Sequence, residues 1–233
     1  MKPEDRLKLE EKAVETVDVN ETEKRDEATQ SLEVPEELPI LPIRETVLYP
    51  KMILPIMVTQ DRLIKLIDAA LLANKMIGIV AIKNKDAEEA KPEDLFEVGC
   101  AAFILKMLKM PNNSLRLLIQ GTARIRLTEY TQREPFIRAK VLPLADQGEK
   151  TTEIEAMMMG AKSNFQKVVE LAPNLPAELA IMAMNIDEPG PLADLIVSVL
   201  NLPLADKQVL LETLPVKDRL EKAILFLAKE AFW

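Results

Sequence analysis

The sequence contains no histidine, which removes Ser-His-Asp and Cys-His relays at once. Ser163 and Lys167 stand four apart, a spacing that puts both side chains on one helical face, so a Ser-Lys dyad is the one nucleophilic pairing left. The competing reading is a solvated helix face. Glu93/Asp94 and Asp187/Glu188 supply paired carboxylates of the sort a general acid and base require. Both pairs adjoin prolines ahead of structured segments, where carboxylates commonly cap or solvate turns. Cys100 lies among Val98, Ala101, Ala102 and Phe103 and reads as a buried structural thiol. As the single cysteine it excludes an intramolecular disulfide, and without histidine it leaves no zinc set. None of the six glycines is followed by lysine, so the backbone cradle that wraps nucleotide phosphates is missing.

Exposed apolar surface is the remaining positive signal. Leu115, Leu117 and Ile119 share one strand face, which leaves Leu118 beside Arg116 and Gln120 on the other. Ile53, Pro55 and Met57 share a face with Lys51 and Thr59, and Leu41 and Ile43 share one with Glu45. If these sets adjoin and point outward, Leu41, Ile43, Ile53, Pro55, Met57 and Leu118 form a patch able to hold extended apolar polypeptide. The alternative is that both faces of these strands are buried, one on the core and one under a helix. Within Met157-Met158-Met159, one methionine must leave the helical stripe, because consecutive helix residues lie about 100° apart.

The elements that would position these residues fall into three regions. Residues 1–37 hold 13 of the 38 acids and 6 of the 30 bases, a net of −7 out of the total of −8, with little apolar surface. That composition predicts a disordered acidic tail, acting as a solubilising arm or a docking segment. The rest of the chain is nearly neutral, with 25 acids against 24 bases, which argues against a nucleic-acid partner. No apolar run approaches the ~20 residues of a membrane span and the first residues are charged, so a soluble, cytoplasmic chain without a membrane partner is expected.

Residues 38–144 read as a β domain. Pro39, Pro42, Pro50 and Pro55 punctuate its first strands, as they do in short, bent, edge-type strands. Asp61 is placed to cap a helix with Leu63, Leu66, Ile67, Ala70 and Leu71 inward; Met76–Ile82 is a strand. Residues 98–110 and 115–120 flank the turn signal Pro111-Asn112-Asn113-Ser114, and Gly121 interrupts the second run. Two further strands, 123–130 and 136–142, alternate apolar residues with Arg124, Arg126, Arg138 and Lys140 on a wet face. A linker at 145–150 precedes about five helices in 151–233. A capping box at Thr152–Glu155 opens the first, Pro189-Gly190-Pro191 separates the second from the third, and Pro215 starts the last.

Leu38-Pro39-Ile40-Leu41-Pro42-Ile43-Arg44-Glu45-Thr46-Val47-Leu48-Tyr49-Pro50 resembles, almost position by position, the opening of the amino-terminal domain of the Lon family of ATP-dependent proteases. Further stretches are similar to the same region: Pro92–Gly99, Asp187–Leu195 and Leu210–Lys222. The resemblance implies an α+β fold, a PUA-like β pseudobarrel with a helix followed by an all-α helical bundle. It also implies substrate binding to unfolded or degron-bearing polypeptides and self-association of the parent as a homo-hexamer in protein quality control. In the family the ATP and magnesium sites and the Ser-Lys protease dyad lie in further modules. No position here matches those motifs, so no catalytic, cofactor or metal residue carries over. A stand-alone adaptor of the same domain type and, on fold analogy alone, an RNA-binding module are the alternative readings. Ala231-Phe232-Trp233 departs from the charged continuation implied after Lys229-Glu230, as in a shortened or naturally brief chain.

The absence of a phosphate cradle and of a credible nucleophile and base predicts that the purified chain neither hydrolyses ATP nor cleaves a casein-like unfolded protein. Reproducible turnover in either assay that survives a Ser163→Ala control for contamination would overturn that expectation.

Overall fold

The computed structural model describes residues 16–17 and 33–230. Its strands are β1 (Thr16–Val17), β2 (Glu37–Ile43), β3 (Ile53–Val58), β4 (Met76–Ala81), β5 (Val98–Lys109), β6 (Leu115–Gln132) and β7 (Arg138–Leu144). Helix α1 (Asp61–Leu72) and a 3-10 turn at Pro92–Asp94 lie among them; α2 (Thr152–Leu171), α3 (Glu178–Met184), α4 (Pro189–Val199), α5 (Leu204–Glu212) and α6 (Val216–Glu230) follow. This is an α+β fold, a β pseudobarrel followed by helices.

The sheet runs β1-β5-β4-β2-β7-β6-β3, and β5 also pairs with β6, so the pairings from β5 through β4, β2, β7 and β6 return to β5. Among the described strands only β2 and β4 pair in parallel, and the chain between them passes through β3 and α1. Register shifts between Ala101 and Ala102, between Ile104 and Lys106, and at Leu127/Glu129 bend the two long strands as the circuit requires. Leu38, Ile40, Met76, Val80, Ala101, Ile125 and Ala139 pack together on one face. Leu41, Ile77, Ile79, Cys100, Ile104 and Ile119 fill the other, under Leu66, Ile67 and Ala70 of α1. A third apolar cluster joins Val47, Tyr49, Ala81 and Val98 to the helices through Phe165, Ile196, Leu211 and Leu220.

Several elements depart from the sequence reading for physical reasons. Gly121 does not interrupt a strand: β6 is continuous for 18 residues, and Gly121 lets the chain at 49–52 come down on it. The Lys51 amide donates to the Gly121 carbonyl at 2.8 Å and the Gly121 amide to the Met52 carbonyl at 2.9 Å; an added Cβ would sit 2.2 Å from the Tyr49 oxygen. Pro189-Gly190-Pro191 opens α4 instead of preceding it, since proline at the first helical positions forfeits only amides that have no helical partner. The cap of α2 is Thr151, whose Oγ1 accepts the Ile154 amide at 3.2 Å, one residue ahead of the expected box. The acidic tail was expected to run through residue 37, yet its end is ordered. Glu36 accepts the Val141 amide through its carbonyl, and Glu37 opens β2 with its carboxylate on Arg138 at 2.8 Å. Residues 16–17 pair with Met107 and Leu108; the rest of the tail expectation lies outside the described residues.

The largest departure is Arg124, expected on a wet face and only 2% exposed. Its guanidinium grips Asp194 of α4 with two bonds of 2.7 Å and donates Nε to the Leu211 carbonyl at 2.8 Å. Burial alone would push the guanidinium down; the carboxylate holds it above its ordinary value. Arg219, at the start of α6, reaches the other side of Asp194 at 3.6 Å and Asp146 at 2.6 Å. Tyr49 lies beneath, its ring 5.9 Å from the Arg124 guanidinium and its hydroxyl donating to the Lys207 carbonyl at 2.7 Å.

Removing one partner strands the other charge in the interior, so Asp194→Ala should cost about 3–5 kcal/mol in urea unfolding, and pairing Arg124→Met with Asp194→Leu should recover most of that loss. A single-mutant cost below about 1 kcal/mol would mean that the charges are not held as described.

Candidate polypeptide-binding surface

Among the described residues strand β3 forms one end of the sheet and is hydrogen-bonded to β6 alone, which explains how Pro55 is tolerated inside it. Its pleat alternates: Leu54 and Ile56 are half-buried against the core under α1, and Ile53, Pro55 and Met57 face out. Across β3, β6 and β5 the register sets three rows on this face: Met57, Arg116, Leu108; Pro55, Leu118, Lys106; and Ile53, Gln120, Phe103. Ile53 and Met57 are 52% and 57% exposed, and Leu118 is half-buried between Pro55 and Lys106. Apolar side chains are thus spaced by long polar ones whose stems extend the apolar surface while their ends stay wet.

Four of the six residues expected to form a patch, Ile53, Pro55, Met57 and Leu118, come together on this ribbon. Leu41 and Ile43 do not. They are 2% and 8% exposed, because their half of β2 is paired to β4 and packs under Leu66, Ile67 and Ala70 of α1. They belong to the core and show only as the floor of a cleft of about 490 Å³ that Pro55 and Met57 edge from the opposite wall. Arg44 closes one end by donating to the Ala87 and Glu88 carbonyls, and Arg62 donates to the Ala90 carbonyl at 2.8 Å.

At its other end the ribbon runs into a second cleft, of about 680 Å³, between the chain at 49–53 and the α3–α4 segment. Lys51 adopts φ 67° there, holding the chain in a tight turn over Gly121. Met52, Ile186, Leu195 and Val199 give the cleft an apolar lining, Met182 stands exposed at its mouth, and Asp194, held from behind by Arg124, forms the base. Ile53 lines this cleft and also ends the ribbon, so the two surfaces are continuous. Sequence reading missed the cleft and the ions beneath it. A usable signal was present: Asp194 is the one charged residue from Pro189 to Leu200, where an isolated acid in an apolar helix calls for a buried partner.

The residues that could do chemistry lie on three separate elements, α2, the 3-10 turn at Pro92–Asp94 and the entry to α4. Ser163 and Lys167 are exposed on α2, and Met159 is the methionine of its run that points to solvent, at 74% exposure. Glu93 pairs with Arg133 at 2.6 Å. The Asp94 carboxylate accepts the Lys91 amide and the Asn84 side chain, bonds that hold it below the usual carboxylate range. Asp187 and Glu188 are exposed at the entry to α4, where Glu188 is the N-cap residue but makes no side-chain capping bond. Among the described residues no group of three acidic or cysteine side chains is placed to hold a metal, and no helix is long and apolar enough to cross a membrane.

The model of the ATP-dependent protease La (LON) substrate-binding domain family matches residues 37–229. The chain is 44% identical over 204 residues to a Lon protease of Dictyoglomus thermophilum, covering 88% of this chain and 26% of that protein. It is 40% identical over 198 residues to one of Roseiflexus castenholzii, covering 85% and 25%. The chain therefore spans about a quarter of the length of these relatives. The fold is similar to the solved N-terminal domain of a Mycobacterium avium complex Lon protease, with a TM-score of 0.68 at 22% identity, covering 82% of this chain and 98% of that one. It is also similar to a Lon N-terminal domain protein from Xanthomonas campestris, with a TM-score of 0.58 at 18% identity, covering 81% and 97%.

Burial pushes the Cys100 thiol up to about 12, so almost no thiolate forms at neutral pH. Iodoacetamide should leave the folded chain unlabelled at pH 8 and modify it in denaturant; rapid labelling without denaturant would contradict the buried position.

Proposed function

Because the chain belongs to the ATP-dependent protease La (Lon) substrate-binding domain family, we propose that it is a non-catalytic recognition unit that delivers unfolded or degron-bearing polypeptides to a Lon-type protease. The ATP-dependent serine peptidase activity, with its ATP and magnesium, belongs in this reading to modules beyond the matched region, and the helical part supports assembly of the parent as a homo-hexamer. The setting is cytoplasmic protein quality control.

The observation that carries the reading is the outer face of the β3–β6–β5 ribbon, where Ile53, Met57, Pro55 and Leu118 lie exposed or half-buried in adjacent rows. An extended client laid along β3 gains apolar contact at every second residue, while Arg116, Gln120 and Lys106 accommodate the polar residues between. Such contacts depend on spacing and polarity more than on residue identity, which suits recognition of many unfolded sequences.

The test replaces apolar residues of the face with a carboxylate. Leu118→Asp places the new charge opposite Lys106 and in contact with water, so the melting midpoint should fall by no more than a few degrees. An apolar client would have to desolvate that carboxylate at a cost of ~1 kcal/mol or more, so pull-down of a denatured client should weaken about fivefold or more, and Met57→Asp should do the same. A stable Leu118→Asp chain with undiminished capture would remove the ribbon from the binding surface; a melted one would return Leu118 to the core.

A further inference from the structure

We propose that the cleft between the turn at 49–53 and the α3–α4 segment is a second subsite for the same client, taking an apolar stretch followed by a basic residue. The inference rests on the ribbon reading, since the occupant is identified by continuity: Ile53 is both the last outward residue of the ribbon and part of the cleft wall. From Met57 to Ile53 the ribbon extends about 13 Å at the usual strand rise, so a client of roughly ten residues covers it and enters the cleft.

Two features of the cleft define what it accepts. Its apolar lining includes Met52 and Met182, unbranched and polarizable side chains that repack around different shapes, so one preferred side chain is not selected. Its charges are polarised. Lys51 stands at the ribbon end, and Asp187 and Glu188 stand at the α4 end. Asp194 at the base is neutralised by Arg124 and Arg219 and has little charge left to offer. Lys150 donates to the Asp187 main-chain carbonyl at 2.6 Å, and neither carboxylate is in a salt bridge among the described residues. A client that leaves the apolar floor toward α4 therefore meets two exposed carboxylates, and a lysine or arginine at that point is favoured over an acid.

The experiment uses two fluorescent peptides of roughly ten residues. They share an apolar run and end in either a Lys-Lys or a Glu-Glu pair, and each is titrated against the chain by anisotropy at low and high salt. The Lys-Lys peptide should bind about three- to tenfold more tightly at low salt, with the difference shrinking as salt screens the exposed charges. The double variant Asp187→Asn with Glu188→Gln should abolish the preference, and Met182→Gln should weaken both peptides; all three side chains are exposed, so the fold is spared. A preference that survives the double variant, or no preference in the unaltered chain, overturns the cleft inference. Met57→Asp separates the two readings. If it weakens both peptides while the charge variants have no effect, the ribbon stands and the cleft assignment falls. If it leaves binding of both intact, the ribbon reading fails and takes this inference with it.

Discussion

The buried contact between Arg124 of the sheet and Asp194 of α4 is the constraint on which the rest of the architecture depends. Two charges taken out of water lose hydration worth several kcal/mol each, and their attraction recovers this only where the geometry is close and the remaining donors are used. Arg124 meets both conditions. Its guanidinium grips both carboxylate oxygens and its Nε finds the Leu211 carbonyl, while Arg219 Nη1 stands 3.6 Å from Oδ1 with no hydrogen bond of its own among the described residues. Against a well-packed apolar pair such an arrangement comes out near break-even in stability. What it excludes is every other docking of the helices on the sheet, because a shifted interface would leave a charge buried without its partner.

The same point sets the position of the proposed binding surfaces. Tyr49 is buried between Arg124 and the carbonyl of Lys207, and the chain from Pro50 to Met52 is then held down on Gly121 by a reciprocal pair of backbone bonds. This short stretch ends in Ile53, where the ribbon and the cleft meet. One wall of the cleft comes from the chain at 49–53 and the other from the α3–α4 segment, and the Arg124–Asp194 contact joins sheet to helix behind them. Gly190 contributes on the helical side: a side chain there would collide with the Asp146 carboxylate that holds Arg219.

Local features were legible in the sequence to the extent that they depend on local forces. Alternation placed Ile53, Pro55 and Met57 on one face and Leu118 on the polar face of its strand; helical spacing placed Leu66, Ile67 and Ala70 inward; the Pro111–Ser114 turn was readable from its residue types. What failed depended on partners distant in the chain. Leu41 and Ile43 show the same alternation as the β3 residues, and only the pairing of this half of β2 with β4, under α1, sets them in the core. Arg124 alternates with Ile125 as a solvated residue would, and only Asp194, 70 residues away, turns its face into an interior. Gly121 signals a break unless the chain at Tyr49 is known to cross above it.

An exposed edge strand with an apolar face is ordinarily a liability, since its free donors and acceptors invite another chain to add to the sheet. Pro55 changes that balance on β3. It has no amide hydrogen to offer a further strand, so ladder addition along Ile53–Val58 would be interrupted at its middle. The outward face is untouched by this restriction, because side-chain contact does not use the backbone donors. A polypeptide received on the proposed ribbon would therefore be held through its side chains and not drawn into the sheet. Contacts of that kind are individually weak and tolerant of sequence, and they can be released without unzipping a ladder. That is the behaviour required of a surface that must take up many unfolded chains and pass each of them on.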